Sequence, residues 1–174
     1  FDQPMTPLDV LGKLARGDVY VISLTFPEGL TVAEMAQLFA SHGFGPASAF
    51  VAAAKDASLV AQLDPGARDL EGYLFPETYA LSRHADAAHL VRLMVDRFER
   101  VFTPEMKRAA EERGLTVRQV VAIASLVEKE TARPEERPIV AAVYENRRRI
   151  GMPHQCAPTV IYALAQVGKY TGNL

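Results

Sequence analysis

Residues 116–131 read TVRQVVAIASLVEKET, and this stretch predicts an α-helix that begins behind a threonine cap. Thr116 precedes apolar residues spaced three and four positions apart, which is the spacing of one helical face. Pro134 follows, and a proline disfavours the helical conformation in the residue before it. The sequence therefore predicts a helix over 117–131 and another that has Pro134 in its first turn and runs to about Arg148.

Shorter elements precede this pair of helices. Residues 19–26 (VYVISLTF) are β-branched and aromatic, which predicts a strand. Thr31 and Glu34 have the spacing of a capping box at the start of the next helix. Further helical patterns cover residues 5–15, 48–54, 87–102, 104–113 and 159–167. The mixture predicts an α+β fold that is mainly helical and has some β structure.

The dipeptide Pro65-Gly66 marks a change of character along the chain. The sequence before it predicts a small α+β module over residues 1–62, and the sequence after it a mainly helical domain over residues 63–174. Residues 70–79 (LEGYLFPETY) show no regular pattern and receive no assignment. We find no internal repeat, so two dissimilar units are expected.

Composition narrows the class of protein. About half of the 174 residues are hydrophobic and the formal net charge is −2, so nothing predicts a nucleic-acid partner. The lone cysteine, Cys156, excludes an internal disulfide framework, and the four scattered histidines predict no metal site. The chain begins at Phe1 without an initiator methionine, so we expect a piece of a longer protein, in which a membrane segment would lie upstream.

One residue does not fit the pattern of its helix. With successive residues about 100° apart, Glu128 falls about 40° from Ala124, inside the apolar stripe. A glutamate in such a stripe is costly unless it is paired or protonated. The helix should also end within about one turn of Glu128, and the negative end of the helix dipole disfavours an ionised carboxylate. Both effects favour the protonated form that a general acid needs.

Two interpretations of Glu128 remain open at this point. In the first, the carboxylate pairs with a nearby arginine, such as Arg137 or Arg147, and holds helices together. In the second, the carboxyl group is catalytic. Periodicity identifies the unusual position but does not name a reaction.

Four segments carry a family resemblance. Residues 124–130 (ASLVEKE) resemble a signature of the MltG (YceG-like) family of peptidoglycan lytic transglycosylases. Residues 70–79, 136–147 (ERPIVAAVYENR) and 150–164 (IGMPHQCAPTVIYAL) resemble further family segments in the same order. Upstream, residues 25–39 (TFPEGLTVAEMAQLF) are similar to the small LysM-like module of this family. The chain is therefore identified as a member, with a LysM-like module before a YceG-like catalytic domain.

The resemblance implies an activity. Members would cleave the β-1,4 bond between N-acetylmuramic acid and N-acetylglucosamine and leave a 1,6-anhydro-muramyl end, because the C6 hydroxyl of the sugar attacks in place of water. Glu128 would protonate the leaving oxygen and then accept the proton of that hydroxyl. Most glycosidases need two carboxyl groups, whereas here one suffices. No cofactor is expected.

Other positions are assigned through the same resemblance. Glu71 matches an acidic residue expected to line the cleft, although a surface or capping glutamate is the alternative. The ring of Tyr73 would stack on a sugar, unless it belongs to the core. Asn146 would bind substrate or orient a loop. Gln155 and Thr159 match a polar loop near the active site, and Thr159 is equally suited to cap the last helix.

One position departs from the family pattern. Where the family's QxDPT loop has aspartate, this chain has Ala157, so an acidic side chain for substrate or loop is missing. This leaves an alternative function, a peptidoglycan-binding module with weakened or no catalysis. Cys156 lies where the family accepts Ser, Thr or Cys, and we interpret it as structural.

The resemblance also implies a setting. It places the catalytic part in the periplasm or outside the cytoplasm, on a single N-terminal anchor in the bacterial inner membrane. The partners would be peptidoglycan glycan strands and peptidoglycan synthases, and cleavage would limit the length of nascent strands. An intracellular helical interaction domain with a structural Glu128 is a further alternative, which the four ordered segments disfavour.

Overall fold

A computed structural model describes residues 4–17, 20–83 and 85–172, which form eight α-helices and two β-strands. The helices are α1 (Pro7–Ala15), α2 (Val32–Ser41), α3 (Ala47–Ala53), α4 (Ala87–Val101), α5 (Pro104–Glu112), α6 (Val117–Glu130), α7 (Arg137–Arg149) and α8 (Ala157–Gln166), and the strands are β1 (Val21–Thr25) and β2 (Thr78–Ser82). A 3-10 turn covers Ala57–Val60. The chain is thus mainly helical with a small two-stranded sheet, as expected for an α+β protein.

The helix caps predicted at Thr31 and Thr116 are present. Thr31 accepts a hydrogen bond from the Glu34 amide, and the Glu34 carboxylate accepts one from the Thr31 amide, so the capping box of α2 is confirmed. Thr116 and Gln119 form the same arrangement at the start of α6. Each cap satisfies amide groups that have no partner within the helix. The start of α6, the helix that carries Glu128, is therefore fixed locally.

The sheet joins distant parts of the chain. Strands β1 and β2 pair antiparallel, with Val21 opposite Ser82 and Thr25 opposite Thr78. Strand β2 was not predicted, because it begins inside the irregular stretch at residues 70–79 and is defined by its partner rather than by its own pattern. The pairing crosses the boundary expected near residue 62. The separate LysM-like module stays a prediction.

The larger core lies around α4 and the sheet. Its fully buried residues include Leu24 of β1, Phe50 of α3 and Leu90 of α4, and aromatic rings stack among them. This core draws on both sides of residue 62 and includes Val117 in the first turn of α6, with Val120 and Val121 packed against it. The apolar face of α4 supplies Leu90, Val91, Met94, Val95 and Phe98.

A second, smaller cluster holds the C-terminal helices together. Val127 of α6, Tyr144 of α7 and Cys156 before α8 are its buried members. Helix α7 begins at Arg137, so the prediction that Pro134 stands in its first turn was wrong. Pro138 occupies that place, since residues 134–136 form a turn. No helix in the described part of the chain is long and apolar enough to cross a membrane.

Candidate active site

Helices α6 and α7 border an open cleft of about 700 Å³. Most of its wall is apolar, and the charged side chains of Arg113, Glu128, Arg137 and Glu145 also line it. The apolar wall comes from Leu115, Val120, Ile123, Ala124, Val127, Pro138, Ala141 and Ala142. A mainly apolar concave surface with a few polar groups is typical of a ligand-binding site.

The apolar stripe of α6 therefore faces this cleft. Ala124, at the centre of the stripe, is exposed, and Val120 and Ile123 are only partly buried. The expectation that Glu128 lies in the middle of a buried stripe was wrong, since its side chain is 29% exposed. On the helix, Glu128 lies between the cleft-facing residues and Val121, which packs beneath the loop at Gly72. This position leaves the carboxylate at the edge of the cleft.

Glu128 has a cationic partner. Nη2 of Arg137 lies 3.0 Å from Oε2 of Glu128, which joins the end of α6 to the start of α7. The pairing with Arg137 that sequence analysis left open is confirmed. Arg147, the other candidate, instead donates to the carbonyl of His154. An ion pair does not exclude catalysis, because a carboxyl group at a cleft edge remains accessible to a ligand.

The turn between β1 and α2 reaches the same place. A Cβ atom on Gly29 would lie 3.6 Å from Cγ of Glu128, and Gly29 has φ of 78°, which favours glycine. Glu28, its neighbour, contacts Arg137 with Oε2 at 3.3 Å from Nη2. Two other segments, the start of α7 and the turn between β1 and α2, thus lie beside Glu128 at the end of α6.

Glu71 lies at the N-terminus of α2 and is not among the residues lining the cleft. Both its carboxylate oxygens accept from the Val32 amide, at 3.1 and 3.3 Å, and Tyr162 of α8 donates to Oε2 at 3.3 Å. Burial raises the pKa of Glu71, and the hydrogen bond from Val32 partly opposes this rise. Burial and the nearby Glu71 carboxylate raise the pKa of Tyr162 to about 12. Of the two sequence interpretations of Glu71, this contact fits a capping role.

Tyr73 lies in the core, so the prediction that its ring stacks on a sugar was wrong. The side chain is 3% exposed, and its hydroxyl donates to Asp64 at 2.6 Å. Its ring packs edge-on against Phe98 of α4. A ring in this position has no free face for a ligand.

Asn146 and Gln155 are both exposed, and neither belongs to the cleft lining. The Asn146 side chain accepts a 3.4 Å hydrogen bond from Arg149, one turn further along α7. Gln155 has φ of 50°, which is uncommon for a residue other than glycine. Their roles toward substrate stay predictions.

Thr159 lies in the first turn of α8, so its predicted role as the helix cap was wrong. The cap is Cys156, which makes no side-chain capping bond, and Ala157 is the first helical residue. The Thr159 hydroxyl donates to the Cys156 carbonyl at 2.8 Å. Thr159 therefore stabilises the junction between the loop and α8.

Sequence analysis did not identify Glu28, which contacts Arg137, or Tyr162, which contacts Glu71. Glu28 belongs to the segment resembling the family's upstream module, but nothing in its local pattern relates it to a residue 109 positions away. Tyr162 lies in the last quoted segment and was not singled out. Only the folded chain brings these side chains to Arg137 and Glu71.

Comparison with known proteins identifies the family. The family model described as "YceG-like family" matches residues 1–174. The chain belongs to the YceG-like family. The YceG-like resemblance of the four sequence segments is thereby confirmed.

Curated relatives of this YceG-like chain carry a functional name. A Streptococcus pneumoniae protein named endolytic murein transglycosylase is 31% identical over 191 residues, which cover 95% of this chain and 34% of the relative. A Bacillus subtilis protein of the same name is 27% identical over 173 residues, covering 88% of this chain and 47% of the relative. The chain therefore spans about a third to a half of the length of these relatives.

A solved structure shows the same fold. The crystal structure of a YceG-like protein from Listeria monocytogenes superposes with a TM-score of 0.71 at 24% identity. The match covers 92% of this chain and 58% of the other. The arrangement of helices and strands described above is thus a YceG-like fold.

Proposed function

We propose that this chain carries the catalytic part of an endolytic murein transglycosylase. Its substrate would be the β-1,4 bond between N-acetylmuramic acid and N-acetylglucosamine in glycan strands. The observation that carries the proposal is the Glu128 carboxylate at the edge of an open, mainly apolar cleft. Membership of the YceG-like family and the names of the curated relatives support it.

The reaction needs a single carboxyl group. Protonated Glu128 gives its proton to the glycosidic oxygen as the bond from that oxygen to C1 of the muramyl residue breaks. The C6 hydroxyl of the same residue then attacks C1 while the Glu128 carboxylate removes its proton. One C–O bond breaks, one forms, and the proton passes from the C6 hydroxyl to the leaving oxygen. No water is consumed, so the product end is a 1,6-anhydro sugar.

The cleft is suited to this reaction. The apolar side chains of α6 and α7 offer a surface for the acetyl and lactyl methyl groups and the ring faces of the glycan. Arg137 stabilises the Glu128 carboxylate that forms after proton donation. Gln155 lies in the loop before α8 and Thr159 in the first turn of α8, and we assign this junction a role in holding the glycan.

A second candidate function rests on Ala157. This residue opens α8 where the family pattern has aspartate, so an acidic group at a helix N-terminus is missing. The alternative is a peptidoglycan-binding module with weakened or no catalysis, which would hold glycan through the LysM-like part. The presence of Glu128 at the cleft favours the enzyme.

The wider setting is part of the same proposal. We expect the catalytic part to act outside the cytoplasm beside peptidoglycan synthases, with a membrane anchor upstream, and to limit the length of nascent strands. The binding of a synthase would be tested by co-purification from detergent-solubilised membranes. Loss of the protein should lengthen glycan strands, which chromatography of digested murein measures.

A digest of purified murein glycan tests the proposal. We expect the parent protein to release anhydro-muramyl ends, detected by mass spectrometry, and Glu128→Gln to lower their rate of formation roughly 10²–10⁴-fold. Glu135→Gln is the matched control, because Glu135 is exposed and the change in charge is the same. Reducing ends in place of anhydro ends would contradict the transglycosylase. Glycan binding by the parent without cleavage would favour the binding module.

A further inference from the structure

Two carboxylate side chains contact the same guanidinium nitrogen of Arg137. Nη2 of Arg137 lies 3.0 Å from Oε2 of Glu128 and 3.3 Å from Oε2 of Glu28. The three residues come from the end of α6, the start of α7 and the turn between β1 and α2. The Arg137 guanidinium therefore contacts two carboxylates that are 100 positions apart in the sequence.

Arg137 is shared between the carboxylates of Glu28 and Glu128. Its Nε is buried and has no hydrogen-bond partner among the described residues. Arginine–carboxylate pairs frequently use two parallel N–H groups, and this bidentate arrangement adds geometric specificity. Here a single nitrogen contacts both carboxylates. A small rotation of the guanidinium thus changes the balance between Glu28 and Glu128.

The turn that carries Glu28 lies beside Glu128. A Cβ atom added to Gly29 would lie 3.6 Å from Cγ of Glu128, which is an ordinary van der Waals distance. The backbone next to Glu28 is therefore close to the side chain of Glu128. Glu28 contributes a negative charge at this place even though its own side chain is 62% exposed.

Three other charged side chains lie near Glu128 or line the same cleft. Lys129 approaches the same glycine turn, and its charge acts on Glu34, whose pKa is lowered mainly by the Thr31 amide. Across the cleft Glu145 pairs with Arg148 at 2.8 Å. Arg113 also lines the cleft and is exposed. Glu28 is the carboxylate that shares Arg137 with Glu128.

We propose that Glu28 is a positioning residue that divides Arg137 between two carboxylates and so keeps Glu128 able to hold a proton. The inference rests on the proposed function, since a general acid must start the reaction protonated. A cation paired with Glu128 alone would favour the ionised form, and a second carboxylate beside that cation opposes this effect. When Glu128 has given up its proton, Arg137 is already in contact to stabilise the new charge.

The pH dependence of kcat/KM for anhydro-end formation tests this role. In Glu28→Gln, Arg137 has only Glu128 as partner, so the fall in rate on the alkaline side should move to lower pH by roughly half a unit. Arg137→Gln should move the fall to higher pH and lower the maximal rate. The double variant should lie between the two. Glu135→Gln, with the same change in charge two positions before Arg137, should keep the parent profile.

The position of the fall does not depend on how much of a variant folds, because unfolded molecules lower the amplitude without moving the curve. A Glu28→Gln profile that matches the parent or moves to higher pH would overturn the inference. Arg137→Lys should keep more of the maximal rate than Arg137→Gln, because it keeps the positive charge.

A second measurement separates this inference from the proposed function. Carboxyl ¹³C NMR of the full chain follows the titration of Glu128 directly, with Glu128→Gln used to assign its signal. We expect the midpoint to move to lower pH in Glu28→Gln relative to the parent. If no anhydro ends form but the midpoint moves, the proposed function fails while the charge coupling stands. An unmoved midpoint overturns the coupling whatever the activity.

Discussion

Helices α4 and α6 both carry an apolar face, yet the two faces have different surroundings. The face of α4 is buried, and Leu90, Val91 and Met94 are fully inaccessible within the larger core. The face of α6 is buried at Val117 and Val127 but open between them, where it lines the cleft. The surroundings of each helix account for the contrast.

Helix α4 packs against α3 and the 3-10 turn, and the sheet belongs to the same core, so its apolar surface is removed from water. Helices α6, α7 and α8 form a smaller cluster, and several large apolar side chains around them stay exposed. These include Ile139, Val143, Ile150, Met152, Val160 and Val167. An apolar surface that the chain does not cover is available to a ligand or partner. The closed end of the molecule contains the larger core, and the open end contains the cleft of the candidate site.

The largest expected difference between the two ends is in stability. Leu90→Ala in α4 should lower the free energy of unfolding by about 2–5 kcal/mol, because it leaves a cavity in a closed core. Ile139→Ala in α7 should lower it by no more than about 0.5 kcal/mol, because that side chain is already 67% exposed. Urea unfolding followed by circular dichroism measures both. Equal losses would mean that the open end is covered in solution.

Weakening the contact that joins the two ends should have an intermediate effect on the free energy of unfolding. Asp64 accepts from Nε and Nη2 of Arg118 on α6, at 2.7 and 2.8 Å, and from the hydroxyl of Tyr73 in the core. Asp64→Asn should lower the free energy of unfolding by about 1–3 kcal/mol, since it weakens charge-assisted hydrogen bonds. Asp96→Asn, at an exposed position of α4, is the control and should change little.

The effect of Asp64 should depend on pH in a defined direction. The hydrogen bonds from Arg118, above all, hold the pKa of Asp64 below its ordinary value of 3.8. A carboxyl group whose folded pKa is lowered stabilises the protein above the unfolded pKa, and this contribution is lost as the pH falls through the folded value. The stability difference between parent and Asp64→Asn should be full at neutral pH and shrink below about pH 4. A difference that grows in acid would contradict this assignment.

The smallest expected effect is at the start of α8, in the open end. Ala157→Asp places a negative charge at the first helical position, where the helix dipole should stabilise it by about 0.3–1 kcal/mol. We expect Tm to rise by less than about 4 °C and the rate of anhydro-end formation to increase. Ala157→Asn separates charge from side-chain size. A rise in Tm without a gain in rate would limit the role of this position to stability.

Local signals in the sequence predicted most helices and singled out Glu128 as the main candidate residue. The caps at Thr31 and Thr116 were found because a capping interaction lies within four residues. Glu128 was found because an acid inside an apolar pattern is unusual and because the family segments surround it. The start of α7 was missed because Pro134 and Pro138 both satisfy the preference for proline in a first turn.

Contacts between distant segments could not be predicted from local sequence patterns. Strand β2 exists through its pairing with β1, which lies more than 50 residues earlier. The contact of Glu71 with Val32 and Tyr162 likewise joins three segments. The sequence offered no reason to prefer these pairs over others, because loop closure over such lengths depends on the whole core.

The sequence by itself determined where most helices lie along the chain, the caps at Thr31 and Thr116 and the unusual position of Glu128, since each depends on neighbours within one or two turns. Only the tertiary structure decided that the stripe beside Glu128 lines a cleft and that Glu28 shares Arg137. Periodicity records which residues lie on one face of a helix, but it does not record what covers that face. Burial and ion pairing are set by the packing of separate elements, and here that packing closed the face of α4 and left the face of α6 open.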